Sequence, residues 1–155
     1  MEDKIVDLEL AKLAGKVGFY NNCEYVYAET IEYEYEDNHT GNEYTHEYVP
    51  PRVKTYKYLN SYDRKICLAP SQTELQKWLR ETMKINVTVT PDYFPYDFGK
   101  ITYKVKVWIL SEEHGYTEPE FCDFETYEEA LEKGLYEAVL DISIRFESKL
   151  KYTIN

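Results

Sequence analysis

Long apolar runs are missing from this chain of 155 residues. The stretch of about 20 apolar residues that a transmembrane helix needs is therefore not there. The start, Met1 to Leu10, is acidic and lacks the basic segment and apolar core of a signal peptide, so no secretion is expected. Cysteine is sparse. Cys23, Cys67 and Cys122 stand far apart, are odd in number and form no CxxC pair, which points to reduced thiols in a cytoplasm. Cys67 and Cys122 have apolar sequence neighbours and read as inert core thiols. Glycine is equally scarce at six, and neither GxGxxG nor GxxxxGK[ST] occurs, which disfavours Rossmann and P-loop nucleotide folds. His39, His46 and His114 fit no HExxH or related zinc spacing, so neither a metal nor a cofactor is expected.

Positive charge is also short. Lys and Arg total 18 against 29 Asp and Glu, a formal charge of 18 − 29 = −11. A field of that sign repels phosphate backbones, so non-specific nucleic-acid binding is not expected. The imbalance is local as well. Eight acids and no Lys or Arg lie between Glu24 and Glu47, and nine acids and no Lys or Arg between Glu112 and Glu132. From Arg52 to Lys65 the balance reverses, with five cations against Asp63.

What the chain has in excess is tyrosine: 17 in all, ten of them between Tyr20 and Tyr62. Tyrosine fits a pleated strand, and it also supplies contact area at an interface or a stacking platform for a flat ligand. The two readings stand as alternatives here: the tyrosines either face a partner or ligand, or form the inner face of the hairpin against the helices. Residues 24–49 read as a hairpin. Ile31, Tyr33 and Tyr35 alternate with Glu32, Glu34 and Glu36, and Tyr44, His46 and Tyr48 alternate with Thr45 and Glu47. The turn falls at 36–43. Pro50-Pro51 should interrupt pairing, and 52–59 should form one more, edge-type strand bearing Lys54 and Lys57.

Before and after the hairpin the periods differ. Residues 5–18 read as a helix capped by Gly18. Ser71 to Glu74 and Thr126 to Glu129 are capping-box patterns that start two more helices. In the first, Leu75, Trp78, Leu79 and Thr82 or Met83 form the buried stripe. In the second the stripe is Leu131, Leu135, Ala138, Ile142 and Phe146, with fraying from Lys151 onward. Strands are expected at 85–90 and 101–109, an aromatic loop or strand end at 91–99, and an acidic connection at 111–125. The whole reads as a single α+β domain spanning 1–155, with an antiparallel sheet and helices packed on one face.

The segments that carry those two capping boxes also resemble a known group. Pro70, Gln72, Leu75 to Glu81, and then Tyr127 to Glu132 with Gly134, Leu135, Glu137 and Ala138, follow two patterns. They are similar to those of small uncharacterised proteins encoded by phages and prophages of gut Bacteroidetes. Val139 stands where that pattern has leucine. The resemblance covers the C-terminal half. It implies a bacterial cytoplasm and a viral or mobile-element origin, and no activity.

The leading expectation is a non-enzymatic module that binds a protein partner or a second copy of itself, away from membranes. Its candidate surface is Tyr33, Tyr35, Tyr44, His46 and Tyr48, with Glu32 and Glu34. The alternative is a small-ligand or nucleotide binder, with the tyrosines as platform and Arg52, Lys54 and Lys57 as phosphate contacts. A hydrolase built on His46 and a nearby acid needs that imidazole in a cleft. No serine or cysteine is placed as a nucleophile.

Overall fold

A computed structural model describes residues 3–21, 23–36, 43–93, 101–109, 116–117 and 120–153. At 31–36, 43–50, 116–117 and 148–153 it describes the backbone alone. The hairpin turn at 37–42, most of the aromatic loop before Ile101, His39 and His114 lie outside the described residues.

The first helix, α1, is Leu8–Lys16, shorter than the expected 5–18. The Asp7 side chain accepts from the Leu10 backbone N–H at 2.8 Å and so sets a later start. Residues 4–6 instead run extended beside 70–72. Val6 N–H donates to Pro70, Gln72 N–H donates to Lys4, and Ile5 bridges to Ser71. Gly18, at φ +98°, takes the left-handed turn beyond the helix, as expected of a glycine there.

Strands β1 (Tyr25–Glu36), β2 (Glu43–Thr55) and β3 (Asp63–Leu68) form an antiparallel sheet in the order β2-β1-β3. β2 does not stop at Pro50-Pro51. The register instead shifts there, from Thr30 opposite Val49 to Ala28 opposite Arg52. This bulge places the two prolines, which lack an N–H, where the ladder is already broken. The expected strand at 52–59 is therefore the end of β2, followed by a 3-10 turn at Tyr56–Tyr58. β2 and β3 run in the same direction on either side of β1, so residues 56–62 cross the sheet between them.

Helix α2 (Gln72–Trp78) starts at the expected capping box: Ser71 Oγ accepts from Glu74 N–H, and the Glu74 carboxylate accepts from Ser71 N–H at 2.8 Å. It continues as a π turn over Leu79–Met83 and ends at Lys84, at φ 58°. Met83 is half-buried and Thr82 exposed, which decides the last position of the stripe.

A second antiparallel sheet follows. β5 (Ile101–Ile109) is central, with β4 (Ile85–Tyr93) on one side and the short β6 (Tyr116–Thr117) and β7 (Phe121–Phe124) on the other. The last two lie inside the segment expected to be only a connection. Pro91 sits within β4, tolerated because β4 is an edge strand.

Helix α3 (Tyr127–Thr153) lies on one face of this second sheet. Thr126 Oγ1 accepts from Glu129 N–H at 3.2 Å at its start. Ala130, Leu131, Leu135, Ala138, Val139 and Ile142 are buried against Val87, Val105 and Val107. Gly134 lets the helix approach this closely. A Cβ there would stand 2.6 Å from Val87 Cγ1 and closer still to Val105 Cγ2. Phe146, expected in the stripe, is half exposed, because the helix has by then run past the core. The helix also continues to Thr153, beyond the expected fraying point.

α1 and α2 complete the same buried cluster through Leu10, Ala14, Leu75 and Leu79, with Phe19 edge-on to Trp78 at 5.4 Å. A polar seam joins the three helices. Glu132 accepts from the Asp7 N–H at 2.7 Å and from the buried Gln72 side chain, which also donates to the Glu128 carbonyl at 2.9 Å. The fold is thus α+β with antiparallel pairing throughout, as expected. The strands form two sheets, with α2 lying between β3 and β4 in the chain.

Candidate functional site

β3 pairs with β1 only from Val26 to Thr30, whereas the β1–β2 ladder continues to Glu36 opposite Glu43. The last six residues of β1 and their partners therefore form a two-stranded arm, reaching about 20 Å at 3.3–3.4 Å per residue. Its register sorts the expected site residues onto two faces. Ile31 stands opposite Tyr48, Tyr33 opposite His46 and Tyr35 opposite Tyr44. On the other face Glu32 stands opposite Glu47, Glu34 opposite Thr45 and Glu36 opposite Glu43. Like charges directly opposite each other destabilise a sheet. The arm carries two such pairs and has no Lys or Arg from Ile31 to Tyr48. By register His46 belongs to the face of Ile31 and the tyrosines, not to that of the glutamates.

The arm is anchored where β3 begins. Thr30 Oγ1 donates to Asp63 Oδ1 at 2.7 Å, and Lys54 Nζ donates to both Thr30 Oγ1 and Asp63 Oδ1. One cluster thus ties β1, β2 and β3 together at the root. The Asp63 side chain is fully covered. The Asn60 N–H first, and then Lys54 and Thr30, hold its carboxyl down at about 2, below the ordinary 3.8. Arg64 pairs with the buried Glu29 beside it.

The basic stretch therefore lies against the root of the hairpin. Lys54, expected as a phosphate contact, is committed to Asp63 and Thr30. Lys57 stands 5.9 Å from the Tyr58 ring, Lys65 stands 5.1 Å from the Tyr56 ring, and Arg52 is exposed opposite Ala28. Arg52, Lys54 and Lys57 are thus dispersed around the sheet with different neighbours.

The thiols differ from one another. Burial pushes Cys23 up to about 11 and raises Cys67. Cys122 is exposed, contrary to the expected core position, because it lies on the short β7 at the sheet's margin. The neighbouring Asp123 charge raises its pKa, so it too is held as a thiol. Among the described residues no three His, Cys, Asp or Glu side chains converge on a metal position. No helix among them is long and apolar enough to cross a membrane.

A second feature was not singled out from the sequence. It lies on the face of the second sheet away from α3. Asn86, Thr88 and Thr90 of β4 and Lys104, Lys106 and Trp108 of β5 line a groove there of about 500 Å³, joined by Arg80 from the π turn. The alternation of Lys104, Lys106 and Trp108 along β5 was a usable signal. Arg80 comes from another element, and nothing local connects it to them.

Comparison of the chain with protein-family models, with curated proteins and with solved structures returns no match. The two motif segments serve the architecture. The first forms the capped α2 and its π turn, and the second forms the part of α3 that packs on β4 and β5.

Proposed function

We propose that the chain is a non-enzymatic protein-binding module and that the two-stranded arm is its binding element. The observation that carries this reading is the register, which sets Glu32 against Glu47 and Glu36 against Glu43 on one face. That arrangement is unfavourable in isolation and becomes favourable when a cationic surface lies across it. The opposite face, with Tyr33, Tyr35, Tyr44, His46 and Tyr48, supplies the aromatic area in which protein interfaces are rich. The anchor at Thr30, Lys54 and Asp63 holds the arm's root, which lowers the ordering needed on binding. The partner is a basic protein surface in a bacterial cytoplasm, and the two helix motifs favour a phage or mobile-element setting.

The test is affinity capture from a bacterial lysate with three baits: the parent, Glu32→Lys/Glu34→Lys, and a chain with 31–48 replaced by a short turn. The reading expects a defined protein retained by the parent and lost by both variants, with circular dichroism and Tm unchanged in the charge-reversed chain. The same retention by all three baits, or by none, sinks it.

A further inference from the structure

The groove on the second sheet is independent of the arm and has its own chemistry. Three cations, Arg80, Lys104 and Lys106, meet there in a chain of net charge −11. Two carboxylates offset them in part. Glu120 lies 2.8 Å from Lys106 and 3.4 Å from Lys104, and Asp92 lies 3.7 Å from Lys104. Arg80 has no ion pair among the described residues. The groove therefore keeps about one unit of positive charge.

Its neutral groups, unlike the two lysines, are uncommitted among the described residues. The side chains of Asn86, Thr88 and Thr90 line the groove and make no hydrogen bond among the described residues. Trp108 is 39% exposed and stands opposite Asn86 at one end of the row.

Polar groups with free hydrogen-bonding capacity, one accessible indole and a small cationic excess match a specific ligand chemistry. A base stacks on the indole, and its edge is read by amide and hydroxyl groups. A phosphate monoester meets the guanidinium and the lysines. The volume, about 500 Å³, lies in the range of small-molecule sites. A nucleic-acid strand fits less well, because the face offers a single aromatic platform and the surrounding field is negative.

We propose that this face binds a nucleoside monophosphate. Trp108 and Asn86 take the base, and Arg80 takes the phosphate, joined by Lys106 once it releases Glu120. This site is separate from the Arg52–Lys65 stretch, and its failure would leave the reading of the arm untouched.

Binding is measured by isothermal titration, with Trp108 fluorescence as a second readout. The four 5′-ribonucleoside monophosphates are titrated into the parent, as are their nucleosides, inorganic phosphate and a mixed-sequence hexaribonucleotide. At least one monophosphate should bind with a Kd below about 1 mM and quench the indole. Its nucleoside should bind at least about tenfold more weakly, and free phosphate should bind more weakly than the monophosphate. Arg80→Ala and Lys106→Ala should each weaken binding by about tenfold, and Trp108→Ala should remove it. All three side chains lie at the surface, and circular dichroism checks that the variants fold. The proposal is overturned by no monophosphate binding at about 10 mM, by unchanged affinity in the three variants, or by equal binding of phosphate alone. A hexanucleotide bound more than about tenfold tighter than any monophosphate would also overturn it, by making the face a strand-binding surface.

Discussion

Gly134→Ala is the sharpest perturbation of the packing, because two effects of opposite sign compete at one methyl group. In a solvent-facing helix position, replacing glycine with alanine stabilises by about 1 kcal/mol. At Gly134 the added Cβ would stand 2.6 Å from Val87 Cγ1 and nearer still to Val105 Cγ2. Neither valine can easily give way, since Val105 is 0% and Val87 1% exposed. Overpacking of a filled core costs about 1–3 kcal/mol, and two simultaneous clashes place this case at the upper end. The net loss is then about 1–2 kcal/mol, or about 2–8 °C in Tm for a chain of this size. Urea denaturation followed by circular dichroism measures it. Val105→Ala in the same chain should relieve the clash, with a favourable coupling of about 1 kcal/mol in the double-mutant cycle. A Gly134→Ala protein more stable than the parent would refute the close approach of α3 to β4 and β5.

Leu135, fully buried midway along α3, should lose about 2–5 kcal/mol as Leu135→Ala, and a loss below about 1 kcal/mol in the same assay would mean that the helix packs weakly. Asp63, held at about 2 from an ordinary 3.8, stabilises the folded state above the higher value and loses that effect as pH falls through the lower one. The urea midpoints of the parent and Asp63→Asn should therefore differ most at neutral pH and converge as pH drops from about 4 to about 2; a gap that widens in acid contradicts the anchor. The opposed glutamates of the arm should make the free protein more stable as salt rises, which thermal melts at about 20 and 500 mM NaCl would detect and a flat or falling Tm would contradict.

The periodic parts of the fold were legible in the sequence for local reasons. Ser71 and Thr126 mark their helix starts through side-chain oxygens that bond three residues onward. The alternation of β5 and the arm follows from the pleat. What stayed hidden depends on partners distant in sequence. β3 is short, and its mix of Arg64-Lys65 and Ile66-Cys67-Leu68 shows no alternation, so only its pairing with Val26–Thr30 defines it. Pro50-Pro51 reads as a strand break until Glu29 is seen facing a bulge. Phe146 keeps the helical period after the core has ended. The two faces of the arm could be read from residue types alone, whereas the Lys54–Thr30–Asp63 anchor required knowing which three strands meet. The groove on the second sheet was hidden for the same reason, since Arg80 and Trp108 lie on separate elements.

The central claim is that the acidic arm is a binding element for a cationic protein surface. Its most direct test is an equilibrium titration of the captured partner against the parent and Glu32→Lys/Glu34→Lys, at about 50 and 500 mM salt. The account predicts that affinity of the parent falls by at least about tenfold between the two salt conditions. It also predicts a loss of at least about tenfold in the double variant at low salt, with its fold and Tm preserved. Equal affinity of the two chains, together with no dependence on salt in the parent, would contradict it and leave the glutamate face as a solubility surface.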